Sequence, residues 1–312
     1  MDSKDIVTSR RTSRQRWKWF KARVRHATLT KGPLWLSRGR LGDAKAVNQI
    51  QITNPIVRLP HLPGALRGLR IIHLSDLHVG DLITPKRLPA LVAQVNQLEG
   101  DLIAVTGDYI DLSLNVIDPV IEAMSCLRAP LGSYFVLGNH DYLDNGPELI
   151  RRFKQAGLPL LMDENVVIAH KGCKITIAGI DWSSKPGQLA KSVVSALGTP
   201  DQKADLNSTD HLCLLLAHHP NAFETAVNHG VDLTLAGHTH GGQVNLTTRR
   251  GRRGSIGLGS LAHRYPHGLY QTGDSYLHVT SGVGSWFPLR VRCPAEIACI
   301  TLRHAPEHHM HP

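Results

Sequence analysis

Short apolar runs alternate with amphipathic segments along the middle of the chain. The apolar runs have the length of buried strands and cover residues 69–75, 101–106, 134–137, 175–180, 212–216 and 231–236. Apolar residues recur at helical spacing in residues 86–98, 116–127, 147–156 and 222–229. This alternation predicts βαβ units and a sheet that is buried on both faces. The polar or glycine-rich residues 183–210 and 247–274 are predicted to be loops.

Length and composition narrow the class of protein. Of the 312 residues, 42% are hydrophobic, which is enough for a sizeable core and excludes a fibrous or disordered chain. We predict one catalytic domain over residues 54–303, preceded by a basic arm at residues 1–53 and followed by a His-rich tail at residues 304–312. Because no window approaches about 18 consecutive apolar residues, we expect neither a membrane span nor a cleaved signal.

The five cysteines are scattered and contain no CxxC pair. This pattern favours neither a disulfide framework nor a zinc knuckle. It fits a reducing compartment, and we therefore expect a cytoplasmic protein that could lie peripherally on the inner face of the membrane.

The net charge of +10 is located in the arm. Residues 1–45 carry 13 Lys and Arg against three Asp, and the rest of the chain carries 22 charges of each sign. We therefore expect no specific nucleic-acid binding by the folded domain. In the arm, Trp17, Phe20 and Val24 recur at helical spacing among basic residues, which is typical of a helix lying on an anionic membrane. A plain disordered basic tail is the alternative.

Five polar clusters begin at or just beyond the ends of predicted strands. They are Asp76-Leu77-His78, Gly107-Asp108-Tyr109-Ile110-Asp111, Gly138-Asn139-His140-Asp141, His218-His219-Pro220 and Gly237-His238-Thr239-His240-Gly241-Gly242-Gln243. Each cluster alone is also typical of a turn or of a satisfied polar pair. Together they offer carboxylate, imidazole and amide-oxygen ligands without thiolates, a set that favours manganese, iron or zinc. About seven such ligands suit two ions that share a carboxylate.

These clusters resemble the calcineurin-like metallophosphoesterase superfamily, whose pattern is D-x-H, G-D-x-x-D, G-N-H-D/E, H and G-H-x-H. The similarity spans about residues 69–302. Residues 264–270 (RYPHGLY) and 282–297 also resemble the branch of bacterial phosphodiesterases of the YkuE/YaeI type. The resemblance implies an α/β fold of four layers, in which two mixed β-sheets pack face to face and are flanked by helices.

The resemblance also implies a role for each residue of the clusters. The implied metal ligands are Asp76, His78 and His240 for one ion, Asn139, His218 and His238 for the other, and Asp108 as the bridge between them. Two divalent ions (Mn, Fe or Zn) would share a hydroxide nucleophile. His140 would be the proton donor, oriented by Asp111, with Asp141 supporting the same site. His219 leaves the assignment of its neighbour His218 open from the residues alone, and the branch pattern H-x-P favours His218.

The expected activity is that of a dinuclear phosphoesterase acting on phosphodiester or pyrophosphate bonds of a phosphorylated small-molecule or lipid-linked substrate. Arg264 is a candidate phosphate contact. One alternative is a pyrophosphohydrolase of the lipid A pathway that cleaves UDP-diacylglucosamine. The alternative from another class is a non-catalytic scaffold on the same fold, which would be expected to lack some ligands or the proton donor.

Overall fold

The computed structural model describes residues 13–38, 40, 49–198, 210–245, 263–285 and 287–306. The strands in this part of the chain are β1 Ile50–Thr53, β2 Ile56–Leu59, β3 Arg70–Leu74, β4 Leu102–Thr106, β5 Ser133–Val136, β6 Glu164–His170, β7 Cys173–Gly179, β8 His211–Leu216, β9 Leu233–Ala236, β10 Gly268–Thr272, β11 Ser275–Val279 and β12 Ala295–His304. The α-helices are α1 Ser13–His26, α2 Gly32–Leu36, α3 Leu88–Asn96, α4 Ile117–Ser125, α5 Gly146–Gln155, α6 Pro186–Ala196 and α7 Phe223–Ala226.

The strands form two six-stranded sheets, and both sheets are mixed. Sheet 1 has the order β1-β12-β3-β4-β5, with β2 also paired to β12; β3, β4 and β5 are parallel and β12 is antiparallel to β3. Sheet 2 has the order β10-β11-β9-β8-β7-β6, with four parallel central strands and antiparallel strands at both edges.

The main core lies between the two sheets. Ile71 and Leu102 of sheet 1 share one buried cluster with Ile177 and Leu214 of sheet 2. A second cluster packs α3, α4 and α5 on the outer face of sheet 1, and a third packs α6 on the outer face of sheet 2. The order of layers is therefore helix, sheet, sheet, helix, and the predicted four-layer α/β architecture is confirmed.

The six predicted strands correspond to β3, β4, β5, β7, β8 and β9, and the four predicted helices to α3, α4, α5 and α7 with its flanking turns. The prediction of a loop over residues 183–210 is wrong, because α6 lies within it. Leu189, Val193 and Ala196 are spaced for one helix face and are buried against sheet 2. The loop predicted over residues 247–274 contains β10; residues 246–262 lie outside the described part of the chain.

The N-terminal arm contains α1, followed by a π-helical turn, Ala27–Lys31, and by α2. The helical spacing predicted for this arm is thus confirmed for the described residues. Ala22, His26 and Thr30 lie four residues apart and are buried, so one side of the arm packs against the domain. β1, inside the predicted arm, pairs in parallel with β12, so sheet 1 begins before residue 54. No helix in the described ranges is long and apolar enough to cross a membrane.

Candidate metal centre

The five polar clusters follow five parallel strands at their carboxyl ends. In sheet 1 they come after β3, β4 and β5, and in sheet 2 after β8 and β9. Parallel strands bring their carboxyl ends to a common sheet edge, which is where α/β proteins bind ligands. Because the two sheets pack against each other, their two sets of loops meet at one edge of the sandwich.

The backbone turns sharply at most of the predicted ligands. φ is positive at Asp76 (53°), His78 (45°), Asp108 (55°), His238 (72°) and His240 (50°). Left-handed backbone is uncommon for residues other than glycine and costs on the order of 1–3 kcal/mol at each position. The surrounding structure must therefore hold these five residues in place, which is typical of functional sites.

Two glycines allow the loops to approach one another. A Cβ atom on Gly138 would lie 2.2 Å from Oδ1 of Asp108, and one on Gly237 would lie 2.3 Å from Oδ2 of Asp76. Any side chain at either glycine would collide with a carboxylate. The glycines of the GNHD and GHTH motifs are thus required by close packing around the two aspartates.

The predicted ligands form overlapping groups of potential metal ligands. Within each group the ligand atoms lie within 4.8 Å of one another, and the groups are Asp76-His78-His240, His78-Asp108-His140 and Asp108-His218-His238. The first group is the set predicted for one ion, and the third contains two of the three residues predicted for the other. Asp108 belongs to two groups, as expected of a bridging carboxylate.

Distances in the first group fit a shared ion. Nε2 of His78 and Nε2 of His240 are 3.0 Å apart, and Nε2 of His240 is 3.3 Å from Oδ1 of Asp76. Two imidazole nitrogens that bind one ion, each at about 2.1 Å, can be no more than about 4.2 Å apart. The facing nitrogens therefore have the separation of two ligands of a single ion.

The third group, Asp108-His218-His238, has a ligand atom oriented by its surroundings. Nδ1 of His218 donates to the carbonyl oxygen of Thr106 at 2.6 Å, which leaves Nε2 as the nitrogen with a free lone pair. That Nε2 atom is buried without a hydrogen bond and lies 3.2 Å from Oδ2 of Asp108. Oδ1 of Asn139 is likewise buried without a partner. Buried polar atoms almost always have partners, so these two atoms fit metal ligands.

Buried negative charge also fits a cation at this edge. The side chains of Asp76, Asp108 and Asp141 are at most 2% exposed. Burial raises the pKa of Asp76, and the charge of Asp108 adds to the effect while His218 opposes it. Burial would also raise the pKa of Asp108, but His218 and His140 outweigh it and hold that pKa well below its ordinary range. Divalent cations would compensate this concentration of carboxylates.

Asp141 connects the two motifs that follow β4 and β5. Its carboxylate accepts hydrogen bonds from the backbone N–H groups of Asp108 at 2.9 Å, Tyr109 at 2.8 Å and Gly138 at 2.8 Å. Burial and the nearby Asp108 raise the pKa of Asp141 to about 7. The side chain therefore joins the two loops through their backbone, and its supporting role at the site stays a prediction.

His140 and Asp111 lie together beside the ligands. Nδ1 of His140 contacts the carbonyl oxygen of Asp111 at 2.6 Å and its Oδ1 at 3.4 Å. Burial lowers the pKa of His140, but the charge of Asp108 and the hydrogen bond with Asp111 outweigh it, and the net shift is upward. The ring is therefore held beside the candidate ligands by its contacts with Asp111.

A family model described as calcineurin-like phosphoesterase matches residues 69–242, which contain all five clusters except the final Gln243. The chain belongs to this family. Its members depend on metal ions, and the ligand groups described above are the candidate metal centre of this member. The expectation from the motifs is thus confirmed at the level of the family, whereas the identity of the metals stays a prediction.

Several relatives in this metallophosphoesterase family are similar over most of the chain. The uncharacterized metallophosphoesterase YkuE of Bacillus subtilis is 30% identical over 82% of the chain and 86% of its own length. An uncharacterized metallophosphoesterase of Helicobacter pylori (strain J99) is 31% identical over 76% of the chain, and a Danio rerio transmembrane protein with metallophosphoesterase domain is 29% identical over 86%. The chain spans only about 60% of the length of these last two proteins.

Two residues singled out in the sequence are not members of the ligand groups, although the ring of His219 lies 5.0 Å from that of His238 between ring centroids. Nδ1 of His219 accepts a hydrogen bond from the N–H of Asn221, and burial lowers the pKa of His219 to about 4. The geometry therefore favours its neighbour His218 as the ligand. Arg264 is 67% exposed, and its Nη1 atom lies 2.8 Å from Oε1 of Glu224. This contact with a surface carboxylate does not support the predicted role of Arg264 in binding phosphate. The arginines at positions 249–253 lie outside the described residues.

The structure adds two residues to the surroundings of the metal centre. The half-buried ring of Trp182 lies 4.9 Å from that of His238 and 5.4 Å from that of His218, between ring centroids. His26 of α1 contacts Asp111. Trp182 follows β7 in a segment without a motif. The four-residue spacing of Ala22, His26 and Thr30 is a sequence signal that could have indicated a packed face of the arm.

Proposed function

We propose that this member of the family is a two-metal phosphoric ester hydrolase that cleaves phosphodiester or pyrophosphate bonds. The observation that carries the proposal is the position of Asp108, whose carboxylate belongs to ligand groups from both halves of the site. A shared carboxylate between two adjacent ligand sets is the arrangement of two-metal hydrolases.

In this proposal each residue keeps the role that the motifs imply. Asp76, His78 and His240 would hold one ion, Asn139, His218 and His238 would hold the other, and Asp108 would serve both. When bound, the ions supply Lewis acidity at the phosphoryl oxygens and lower the pKa of a water molecule. The loops contribute geometry, because the left-handed turns and close-packed glycines fix the ligands before substrate arrives.

His140 is proposed as the general acid. The attacking oxygen belongs to a water molecule that has first released one proton to solvent. Its new bond to phosphorus forms as the bond to the leaving-group oxygen breaks; that oxygen takes the proton from His140, which then regains a proton from solvent. Asp111 holds the ring through its carbonyl oxygen and its carboxylate. The upward shift of the His140 pKa favours the protonated form that this role requires.

The test is manganese-dependent hydrolysis of a chromogenic phosphodiester, with the matching monoester alongside. Asp108→Asn is expected to lower diester turnover at least 1000-fold, because the substitution removes the charge from both ligand groups. Asp118→Asn is the matched control, since this carboxylate is 78% exposed on α4. Inductively coupled plasma spectrometry of each protein counts the ions it holds.

The outcomes separate the candidate functions. Turnover of the diester that is lost in Asp108→Asn and kept in Asp118→Asn supports the hydrolase. A folded wild-type protein that holds metal but turns over neither the diester nor a panel of pyrophosphates contradicts it and favours a scaffold. Faster turnover of the monoester than of the diester would instead assign the protein to the phosphatases.

We further propose an anionic membrane surface as a partner of the arm. Trp17, Phe20 and Val24 are between 46% and 57% exposed on α1, and Trp17 stacks on Phe20. Lys21 and Arg25 are exposed on the same helix. An apolar stripe flanked by basic side chains is typical of helices that lie in the interface of anionic bilayers. This face favours a lipid-linked substrate, such as the pyrophosphate of a lipid A precursor, over a freely soluble one.

Vesicle co-sedimentation tests the membrane proposal with the full chain. Wild-type protein is expected to sediment with phosphatidylglycerol vesicles and to be released at high salt. Replacing Trp17 and Phe20 with serine should abolish sedimentation while turnover of the soluble diester is unchanged. The matched control replaces Val167, which is 52% exposed on β6 in the folded domain, with serine. Equal sedimentation of wild type and the arm variant would rule out the apolar stripe as the contact.

A further inference from the structure

The arm contacts the domain beside the candidate acid. His26, at the end of α1, is 9% exposed, and its two ring nitrogens face two carboxylates. Nε2 lies 2.8 Å from Oδ2 of Asp81, and Nδ1 lies 2.9 Å from Oδ2 of Asp111. Since carboxylates accept and do not donate, both ring nitrogens act as donors. His26 therefore joins the arm to the loops that follow β3 and β4.

The two carboxylate oxygens of Asp111 contact different parts of the protein, one the arm and the other the candidate active site. Oδ2 is held by His26, while Oδ1 lies 3.4 Å from Nδ1 of His140 and 3.6 Å from Nδ1 of His78. A carboxylate with one oxygen fixed cannot rotate freely, so the contact with His26 determines which way the other oxygen points. The orientation of Asp111 toward His140 thus depends on a residue of the arm.

The remaining contacts of the arm show that it is held at this place. Thr30 is fully buried and Ala22 is 7% exposed. Nζ of Lys31 lies 3.5 Å from Oδ2 of Asp81, the carboxylate that also contacts His26. His26 lies outside residues 69–242, which the family model matches, so the family motifs do not contain this contact.

We propose that His26 is a positioning residue of the active site, which orients Asp111 against His140 and makes the arm a part of the catalytic unit. The inference rests on the proposed function, because it assigns His26 a role in the same reaction. His26 touches neither substrate nor the candidate ligands in this arrangement, and it acts through Asp111. Partners that orient a catalytic or ligating group typically contribute a factor of about 10 to 100 in activity.

A double-mutant cycle tests this role with the full chain, manganese and the soluble diester. His26→Ala is expected to lower kcat about tenfold with little change in KM, because its proposed effect passes through Asp111 to the general acid His140 and not through binding of the substrate. In an Asp111→Ala background the same substitution should change kcat less than twofold, since its effect passes through Asp111. His26→Gln provides a side-chain N–H donor and is compatible with the helix, so its kcat should lie between that of His26→Ala and that of wild type.

Two control variants separate positioning from mere docking of the helix. Asp81→Ala removes the other carboxylate that holds His26 but does not touch Asp111, and it should lower kcat less than His26→Ala does. Thr28→Ala changes an exposed residue of the same segment and should leave kcat unchanged. The manganese-induced rise in Tm is expected to be the same in wild type and His26→Ala, because the ligands are intact.

Each contrary result overturns the inference. A kcat for His26→Ala within twofold of wild type, an equal loss in Asp81→Ala, an undiminished loss in the Asp111→Ala background, or disappearance of the manganese-induced rise in Tm would each do so. These results differ from a failure of the proposed function, in which wild type itself shows no metal-dependent turnover and the role of His26 falls with it.

Discussion

The two sheets of this metallophosphoesterase contribute different chemistry to the candidate metal centre. The loops of sheet 1 supply Asp76, His78, Asp108 and Asn139, which are three oxygen donors and one imidazole. The loops of sheet 2 supply only imidazoles, from His218, His238 and His240. All of the ligand charge therefore comes from sheet 1, and sheet 2 adds neutral nitrogen donors.

The carboxylate ligands come from sheet 1 alone, but the ligand groups described next contain residues from both sheets. The group Asp76-His78-His240 takes two residues from sheet 1 and one from sheet 2, whereas Asp108-His218-His238 takes one and two. Neither of these two groups is complete on one sheet, although the group His78-Asp108-His140 comes from sheet 1 alone. Removing a charged ligand and removing a neutral ligand should therefore lower the affinity for metal by unequal amounts. Both of these groups also depend on the packing of the two sheets.

The largest effect is expected from removing charge in the sheet 1 half. Asp76→Asn should weaken manganese binding by about 3–5 kcal/mol, because it leaves buried positive charge uncompensated. His238→Gln, which removes a neutral donor of the sheet 2 half, should cost clearly less. Isothermal titration calorimetry measures both affinities. His219→Gln is the matched control, and its affinity should equal that of wild type.

An equal loss in Asp76→Asn and His238→Gln would contradict the comparison, because it would mean that the two halves contribute alike. A loss in His219→Gln that matches the loss in a His218→Gln variant would instead reopen the choice between these neighbours as the ligand.

An intermediate effect is expected from the carboxylate that joins two loops of sheet 1. At pH 8, above its pKa of about 7, Asp141 is charged and accepts three backbone N–H bonds. Asp141→Asn replaces one acceptor oxygen with a donor and should destabilise the protein by about 3 kcal/mol. Differential scanning calorimetry should show a Tm lower by roughly 6–12 °C. An unchanged Tm would show that the two loops are stable without the hydrogen bonds of Asp141. Asp118→Asn serves as the exposed control.

The smallest effect concerns a contact between the sheets away from the ions. His73 of β3 and His278 of β11 are buried, and their Nδ1 atoms are 3.0 Å apart. Burial lowers the pKa of His278 to about 4. Because this value lies below that of an unfolded histidine, the contribution to stability is fully present above about pH 6.5 and is lost as pH falls toward 4.

Urea unfolding at pH 7 and pH 5 measures this contribution. The loss of stability on acidification from this group is expected to be about 2 kcal/mol, as 1.36 kcal/mol corresponds to one pH unit. His278→Gln should be less stable than wild type at pH 7 and should lose less stability on acidification. Parallel losses in both proteins would show that the packing of the two sheets does not depend on the protonation of this residue.

The candidate metal ligands could be named from the sequence because each depends on a short stretch of chain. Asp76 and His78 follow a buried strand within four residues, and the glycines of the GNHD and GHTH motifs mark close approaches that only the missing Cβ permits. Such signals are local, so they can be recognised without knowledge of the fold. The buried central strands were predictable for the same reason, since a strand covered on both faces is apolar throughout.

The edges of the sheets were less predictable. β6 alternates between exposed and half-buried residues, and β1 has only four residues, so neither forms an apolar run. α6 was mistaken for a loop because its buried face consists of a few residues separated by polar ones. β6 forms because it pairs with β7, β1 because it pairs with β12, and α6 because it packs on sheet 2. Such partners lie outside any local window of the sequence.

The sequence by itself determined the family, the order of the strands and helices around the clusters, and the residue types available to bind metal, because these depend on short motifs and on local periodicity. Only the tertiary structure decided how the ligands are grouped, since Asp108 and His218 are 110 residues apart in the chain. It also decided the contact between His26 and Asp111, which joins an arm without a family motif to the active site. The physical reason is that the packing of two sheets and one helix brings together side chains whose separation along the chain carries no local signal.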